Sequence, residues 1–193
     1  EGDLSATGPI LFTRATQDAW GGLVVTPGGN ATLHDTWFVG GGGDATKAFG
    51  HSASQPVVKA SSGVLSMLGG VVLDSPGKAL GGYKATLALT DVLISRCDTG
   101  GELVQSSLTA SRLHVLEIPD ADGEATDDDN DGLYFVGALQ VDDQVVGSSL
   151  TDVVFSMGED DAIDHNDAEL SVTRAWIHGF AHEGIAASGG RTL

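Results

Sequence analysis

Positive charge is what this chain has least of. Lys and Arg number nine, against 27 Asp and Glu, and the formal net charge is −18. Nucleic acids and anionic membrane surfaces select basic patches, so this balance excludes both as partners. Cysteine occurs once, at Cys97, and one thiol cannot make an internal disulfide framework. Beside an apolar position, Cys97 reads as a small buried residue. No apolar run approaches the length of a membrane-spanning helix, so membrane insertion is not expected. No signal peptide is visible either. The chain opens on EGDLSATG and stops within a strand pattern, so it is expected to be a segment of a longer protein with flanking domains, for which a missing signal says nothing. Aromatic residues are sparse, at 6%, and helical periodicity is absent.

Glycine is abundant, at 28 residues, and with Asp, Ser and Thr it punctuates short apolar frames. In AELSVTRAWIH the inward set is Leu170, Val172, Ala175 and Ile177. The same ungapped frame fits Ser148 to Phe155, Leu108 to Val115, Leu87 to Ile94, Leu65 to Val72 and Ala31 to Phe38. The steps between frame ends are 34, 22, 21, 40 and 22 residues. A base period of about 22 with two enlarged steps is the mark of a solenoid, in which each repeat buries its apolar face against its neighbours. The leucine-rich pattern LxxLxLxxN/C, which shares this period, is missing. The expected fold is therefore all-β: a right-handed parallel β-helix of about seven coils over residues 1–193, with an acidic insertion at 117–135. A second column of apolar residues, Phe49, Leu80, Leu103, Leu133, Ile163 and Ile185, is expected to form another core ladder.

Two acidic stretches carry the candidate chemistry. Asp127, Asp129, Asp131 and Gly132 spell DxDxDG, the first half of an EF-hand-type calcium loop, in which alternating carboxylates converge on one ion and glycine allows the sharp turn. Asp120, Asp122 and Glu124 add a second acidic run, but the distal bidentate Glu is replaced by Leu133-Tyr134-Phe135. Two residues before successive members of the second ladder stand Asp131, Asp161 and Glu183, so these should stack on one face, with Asp160, Asp164, His165 and His182 nearby. Lys78 occupies the corresponding place in an earlier repeat. Neighbouring rungs lie about 4.8 Å apart. Two like charges at that distance repel by about 3 kcal/mol at an effective dielectric of 20. Such a stack must hold a cation, share a proton or splay into water. Calcium is the simplest occupant, with Asp127, Asp129, Asp131, Asp160, Asp161 and Asp164 as its expected ligands. A shared proton would instead make a carboxylate pair of the glycosidase kind.

Other stretches are plainer. Ile10/Phe12 and Leu23/Val25 read as strands around the DAWGG turn, where Trp20 either caps the core or binds a sugar. Gly40–Gly43 does not match a phosphate loop, because GxxxxGK[ST] is lacking. His178, His182 and Glu183 run in the order HxxxHE, which is not the zinc motif HExxH. Asn30-Ala31-Thr32 matches a glycosylation sequon.

Frames such as AELSVTRAWIHGFAHEGIAASGG, from about Ala31 to Leu193, resemble the right-handed parallel β-helix superfamily that includes pectate lyases and polygalacturonases. CDTGGE, DDDNDG, EDDAIDHN and HEGIAASGG also look like coils in β-helix regions of large secreted bacterial proteins, some of which carry CotH-type kinase modules. The resemblance implies an extracellular or cell-surface location and polysaccharide handling along an outer groove. Gly158-Glu159-Asp160-Asp161 is similar to the GDD carboxylate pair of polygalacturonases, although Glu159 interrupts it and the NTD and RIK-type motifs of that family are not found. Two functions stand. One is a non-catalytic, calcium-stabilised structural or glycan-binding module. The other is a calcium-dependent polysaccharide lyase or glycoside hydrolase, with catalytic candidates Asp161, Asp164, Glu183 and Lys78.

Overall fold

A computed structural model describes residues 2–119 and 130–189. The chain is all-β, with two long parallel sheets, a solenoid-like arrangement. The wider sheet has nine strands, among them Val64–Ser75, Thr86–Cys97, Ser107–Ile118, Ser148–Gly158 and Leu170–Phe180. The narrower has seven, in strict chain order: Leu23–Val25, Val58–Ser61, Leu80–Tyr83, Gly101–Val104, Leu133–Val136, Ile163–Asn166 and Ala186–Ser188. Among the described residues no helix is long and apolar enough to cross a membrane.

The register of the wide sheet follows the repeat read from the sequence. Phe38 pairs with Val72, Val72 with Ile94, Ile94 with Val115, Val115 with Phe155 and Phe155 with Ile177. These residues point inward, and all but Ile177 are fully buried. The inward spacing of two, three and two residues within a frame has a local cause. At the step of three the backbone turns through the left-handed region, at Asp35, Gly69, Asp91, Arg112, Asp152 and Arg174. One such residue bends the strand and restores the inward alternation beyond it. Two further columns of left-handed residues repeat the device. One runs through Asp74, Arg96, Glu117 and Met157, the other through Ser62, Lys84, Gln105 and Asp167. Each rung thus has three corners.

The second ladder differs from expectation at two rungs. Leu80 pairs with Val58 on one side and with Gly101 on the other, so Val58 and Gly101 hold the places assigned to Phe49 and Leu103. Phe49 lies in the enlarged step of 34 residues, where it bridges to Ser54. Leu103 points inward two residues further along its strand, opposite Phe135. A count of apolar residues cannot separate two inward positions spaced by two, and glycine at 101 hid the true member.

The enlarged step of 40 residues also holds more than the acidic insertion. Leu139–Val141 and Gln144–Val146 form an antiparallel hairpin. Its turn is made by Asp142 and Asp143, both left-handed, a pairing that type I′ turns require. At the first coil, Phe12, Phe38 and Trp20 stack, with centroids 5.0 and 6.3 Å from Phe38, and the Trp20 indole N–H donates to Val39 O at 2.9 Å. That geometry is the capping arrangement. Cys97 is buried and free, and burial pushes its thiol up to about 12.

Candidate functional site

The approach turns to the narrow sheet stack as tightly as the strands themselves. Backbone bonds join Val57 N to Lys78 O, Ala79 N to Thr99 O, Gly100 N to Asp131 O, Gly132 N to Asp161 O and Ala162 N to Glu183 O, at 2.8–3.1 Å. Lys78, Thr99, Asp131, Asp161 and Glu183 are therefore one column, in that order. The equivalent of Lys78 on the preceding rung is Pro56, because Val58 replaces Phe49 in the ladder.

The column divides into two halves. At its first end Lys78 is fully buried, and its ammonium donates to Glu102 Oε2 at 2.7 Å and to Phe49 O at 2.5 Å. Glu102 is 3% exposed and accepts the His51 N–H on both oxygens, at 3.0 and 2.8 Å. The insertion after Gly40 thus folds over this face of the sheet. Gly50 makes that possible: its φ is 72°, and a Cβ there would collide with the Glu102 carboxylate. Burial pushes the Lys78 ammonium down, opposed by its bond to Glu102. The neighbouring Asp98 carboxyl is pushed up by burial and accepts from Ser54 Oγ at 2.6 Å.

At the other end the charges have one sign. Asp131 and Asp161 are buried and Glu183 is exposed. Glu183 N–H donates to Asp161 Oδ1 at 2.6 Å. The Glu183 carboxyl is held above the usual carboxylate range, first by its hydrogen bond with the Asp161 carboxyl and then by desolvation. His182 Nδ1 lies 2.5 Å from Glu183 Oε2, 3.3 Å from Asp160 Oδ1 and 3.4 Å from Asp161 Oδ1. One ligand atom each from Asp160, Asp161 and His182 fall within 4.8 Å of one another. Between the two halves, Asn130 Nδ2 donates to Glu159 Oε2 at 3.1 Å.

The other expected residues fall around this corner in different ways. Asp164 is outward and partly buried, on the sheet between Tyr134 and Ala186. His165 turns inward opposite Phe135; it is 1% exposed, and neither ring nitrogen has a hydrogen-bond partner among the described residues. It is a core residue and does not join the acidic face. Asp127 and Asp129, with the rest of 120–129, lie outside the described residues. Lys78 stands three rungs from Asp161, about 14 Å away, and Glu102 engages its ammonium.

The donor set can be tested against calcium. Calcium takes six to eight oxygen ligands. Carboxylates of Asp160, Asp161 and Glu183 converge here and fit that demand in part. The imidazole nitrogen of His182 does not, since nitrogen ligands suit zinc, nickel and copper. His182 fits better as the counter-ion that a calcium ion would displace. As a candidate pair, Asp161 and Glu183 are adjacent: Glu183 N–H donates to Asp161 Oδ1, and both carboxylates approach His182 Nδ1.

Glu102 and the hairpin carry interactions that sequence reasoning missed. Glu102 sits in CDTGGE beside a glycine, and only the folded-back insertion shows it to be the partner of Lys78. For the hairpin, the alternation in ALQVDDQVV was the available signal. Compared with protein-family models, with curated proteins and with solved structures, the chain matches none.

Proposed function

We propose that this chain is a calcium-stabilised, right-handed parallel β-helix of about seven coils, acting as a structural or glycan-binding module of a larger secreted protein. The observation that carries it is the like-charged end of the column. Asp160, Asp161 and Glu183 converge on one small volume, where the exposed imidazole of His182 approaches all three. The seven strands of the narrow sheet support the coil number. The alternative, a calcium-dependent lyase or hydrolase, draws on the same carboxylates. Its one Lys candidate, Lys78, has its ammonium buried against Glu102.

Calcium added to metal-stripped protein is expected to raise Tm, and Asp161→Ala to abolish that rise. Zinc, tested beside it, gauges the nitrogen ligand. An unchanged melting curve across millimolar calcium sinks the calcium claim. A rise that survives Asp161→Ala moves the ion to other carboxylates.

A further inference from the structure

The hairpin at Leu139–Val146 does more than fill an enlarged repeat. It stands against the third corner of the solenoid and encloses a groove of about 580 Å³. That size lies within the range of small-molecule sites, about 300–1,000 Å³. The groove runs along the corner from Gly28 past Ser62 and Lys84 to Gln105, and a smaller hollow of about 290 Å³ continues it to Gly137 and Asp167. Four rungs separate Gly28 from Gly137, a length of about 19 Å.

Its lining contrasts with the acidic composition of the chain. The chain has 27 carboxylates, yet none lines the main groove, while one of its nine cations, Lys84, does. Lys84 is exposed and makes no ion pair among the described residues; its ammonium lies 5.4 Å from the Tyr83 ring centroid. The other polar groups are neutral amides and hydroxyls: Asn30, Ser62, Thr86, Gln105 and Gln140. Val64, Leu139 and Val141 supply apolar surface between them. On the corner wall the main chain is already engaged. Gly28 N–H donates to Ser62 O, Ser62 N–H to Tyr83 O, Lys84 N–H to Val104 O and Gln105 N–H to Val136 O, at 2.7–3.1 Å. A polypeptide cannot add to that wall as a strand. Recognition there falls to side-chain amides and hydroxyls, which pair with ligand hydroxyls, and to apolar patches on which rings can lie.

We propose that this groove binds an oligosaccharide whose linear backbone bears a single acidic unit, with that unit at Lys84. One cation in a chain of net charge −18 suits one anionic group and disfavours a densely charged polyanion. The inference rests on the glycan-binding arm of the proposed function, but on a site separate from the acidic corner.

The test uses two probes on the whole chain, xylotetraose and xylotetraose carrying one glucuronic acid branch, titrated by calorimetry with calcium present. The branched probe is expected to bind about ten-fold more tightly, the scale of one charged hydrogen bond. Lys84→Ala should erase that difference, and Gln140→Ala should weaken both probes. Both positions are exposed, and unchanged melting curves confirm that the variants fold. Asp161→Ala, with its ion lost, should leave the groove's preference intact. Binding that ignores Lys84→Ala and Gln140→Ala overturns the groove while leaving a glycan-binding module elsewhere on the chain. Binding of neither probe overturns the groove and removes the glycan arm together, and the calcium effect on Tm then decides the structural arm alone.

Discussion

Two corners of this solenoid stack charge on the same rung spacing and solve the repulsion differently. Along the first corner Asp91, Arg112, Asp152 and Arg174 alternate in sign. Arg112 grips Asp91 at 2.5 and 2.8 Å, and Arg174 grips Asp152 at the same distances. The arginines hold both aspartates below the usual carboxylate range. At the acidic corner Asp131, Asp161 and Glu183 repeat one sign, and Glu183 is held above that range. The repeat imposes contact between equivalent positions, so a solenoid must choose the sign of each neighbour. Alternation completes the corner internally. Repetition leaves it dependent on a proton, an imidazolium or a metal ion.

A third arrangement gives the comparison its sharpest test. Lys78 and Glu102 also place opposite charges on one face, but in the interior, where their side chains are 0% and 4% exposed. Lys78→Met leaves Glu102 buried with, among the described residues, only the His51 N–H as a donor. Stability to urea should fall by about 3–5 kcal/mol, the usual cost of stranding one member of a buried pair. The double variant Lys78→Met/Glu102→Leu should recover much of that loss. If the single variant is as stable as wild type, the insertion after Gly40 is not held down by this pair.

How far the sequence could be read follows from the same contrast. The wide-sheet register was legible because Phe38, Val72, Ile94, Val115, Phe155 and Ile177 are apolar and close the same ungapped eight-residue frame, whatever the step between frames. The stacking of Asp131, Asp161 and Glu183 was legible because it follows from the ladder through Leu133 and Ile163. The partner of the catalytic candidate Lys78 was not legible, because nothing local to it announces that Glu102 lies opposite. Their meeting depends on Phe49 and His51, which arrive on an insertion with no repeat of its own. The corner residues carry positive φ despite being Asp, Arg, Lys or Gln, so glycine spacing gave no warning of them. The step of three between Val172 and Ala175 was their one trace.

The two corners should also titrate in opposite directions. A raised folded pKa means that the folded state binds the proton more tightly. Stability therefore falls as pH rises from the unfolded Glu value, about 4.3, through the raised value of Glu183. Asp98, raised by burial, adds to the same fall. At the paired corners Asp74, Asp91 and Asp152 are lowered by their arginines. Their contribution is complete above the unfolded Asp value, about 3.9, and is lost as pH drops through the folded ones. In chelator, Tm should decline from the carboxylate range toward neutrality, and Glu183→Gln should flatten that decline. Calcium should flatten it in wild type, since an ion takes the place of the proton. Identical slopes in wild type and Glu183→Gln would mean that Asp161 and Glu183 share no proton.

The smallest expected effect separates charge density from ligand geometry. Arg112→Asp turns the alternating corner into three successive carboxylates at positions 91, 112 and 152. All three sites are about half exposed, so the loss in Tm should be slight and should vanish in 1 M salt, where screening acts over about 3 Å. The informative reading is the calcium response of this variant after Asp161→Ala has silenced the natural corner. If calcium again raises Tm, three carboxylates on adjacent rungs suffice to recruit the ion, and any acidic column in such a fold becomes a calcium site. If it does not, the natural corner owes its response to convergence. Asp160 and Asp161 are consecutive, and the turn that carries Glu183 folds its N–H and its carboxyl back onto Asp161. A straight column on one strand edge cannot reproduce that enclosure, because its carboxylates point outward in parallel.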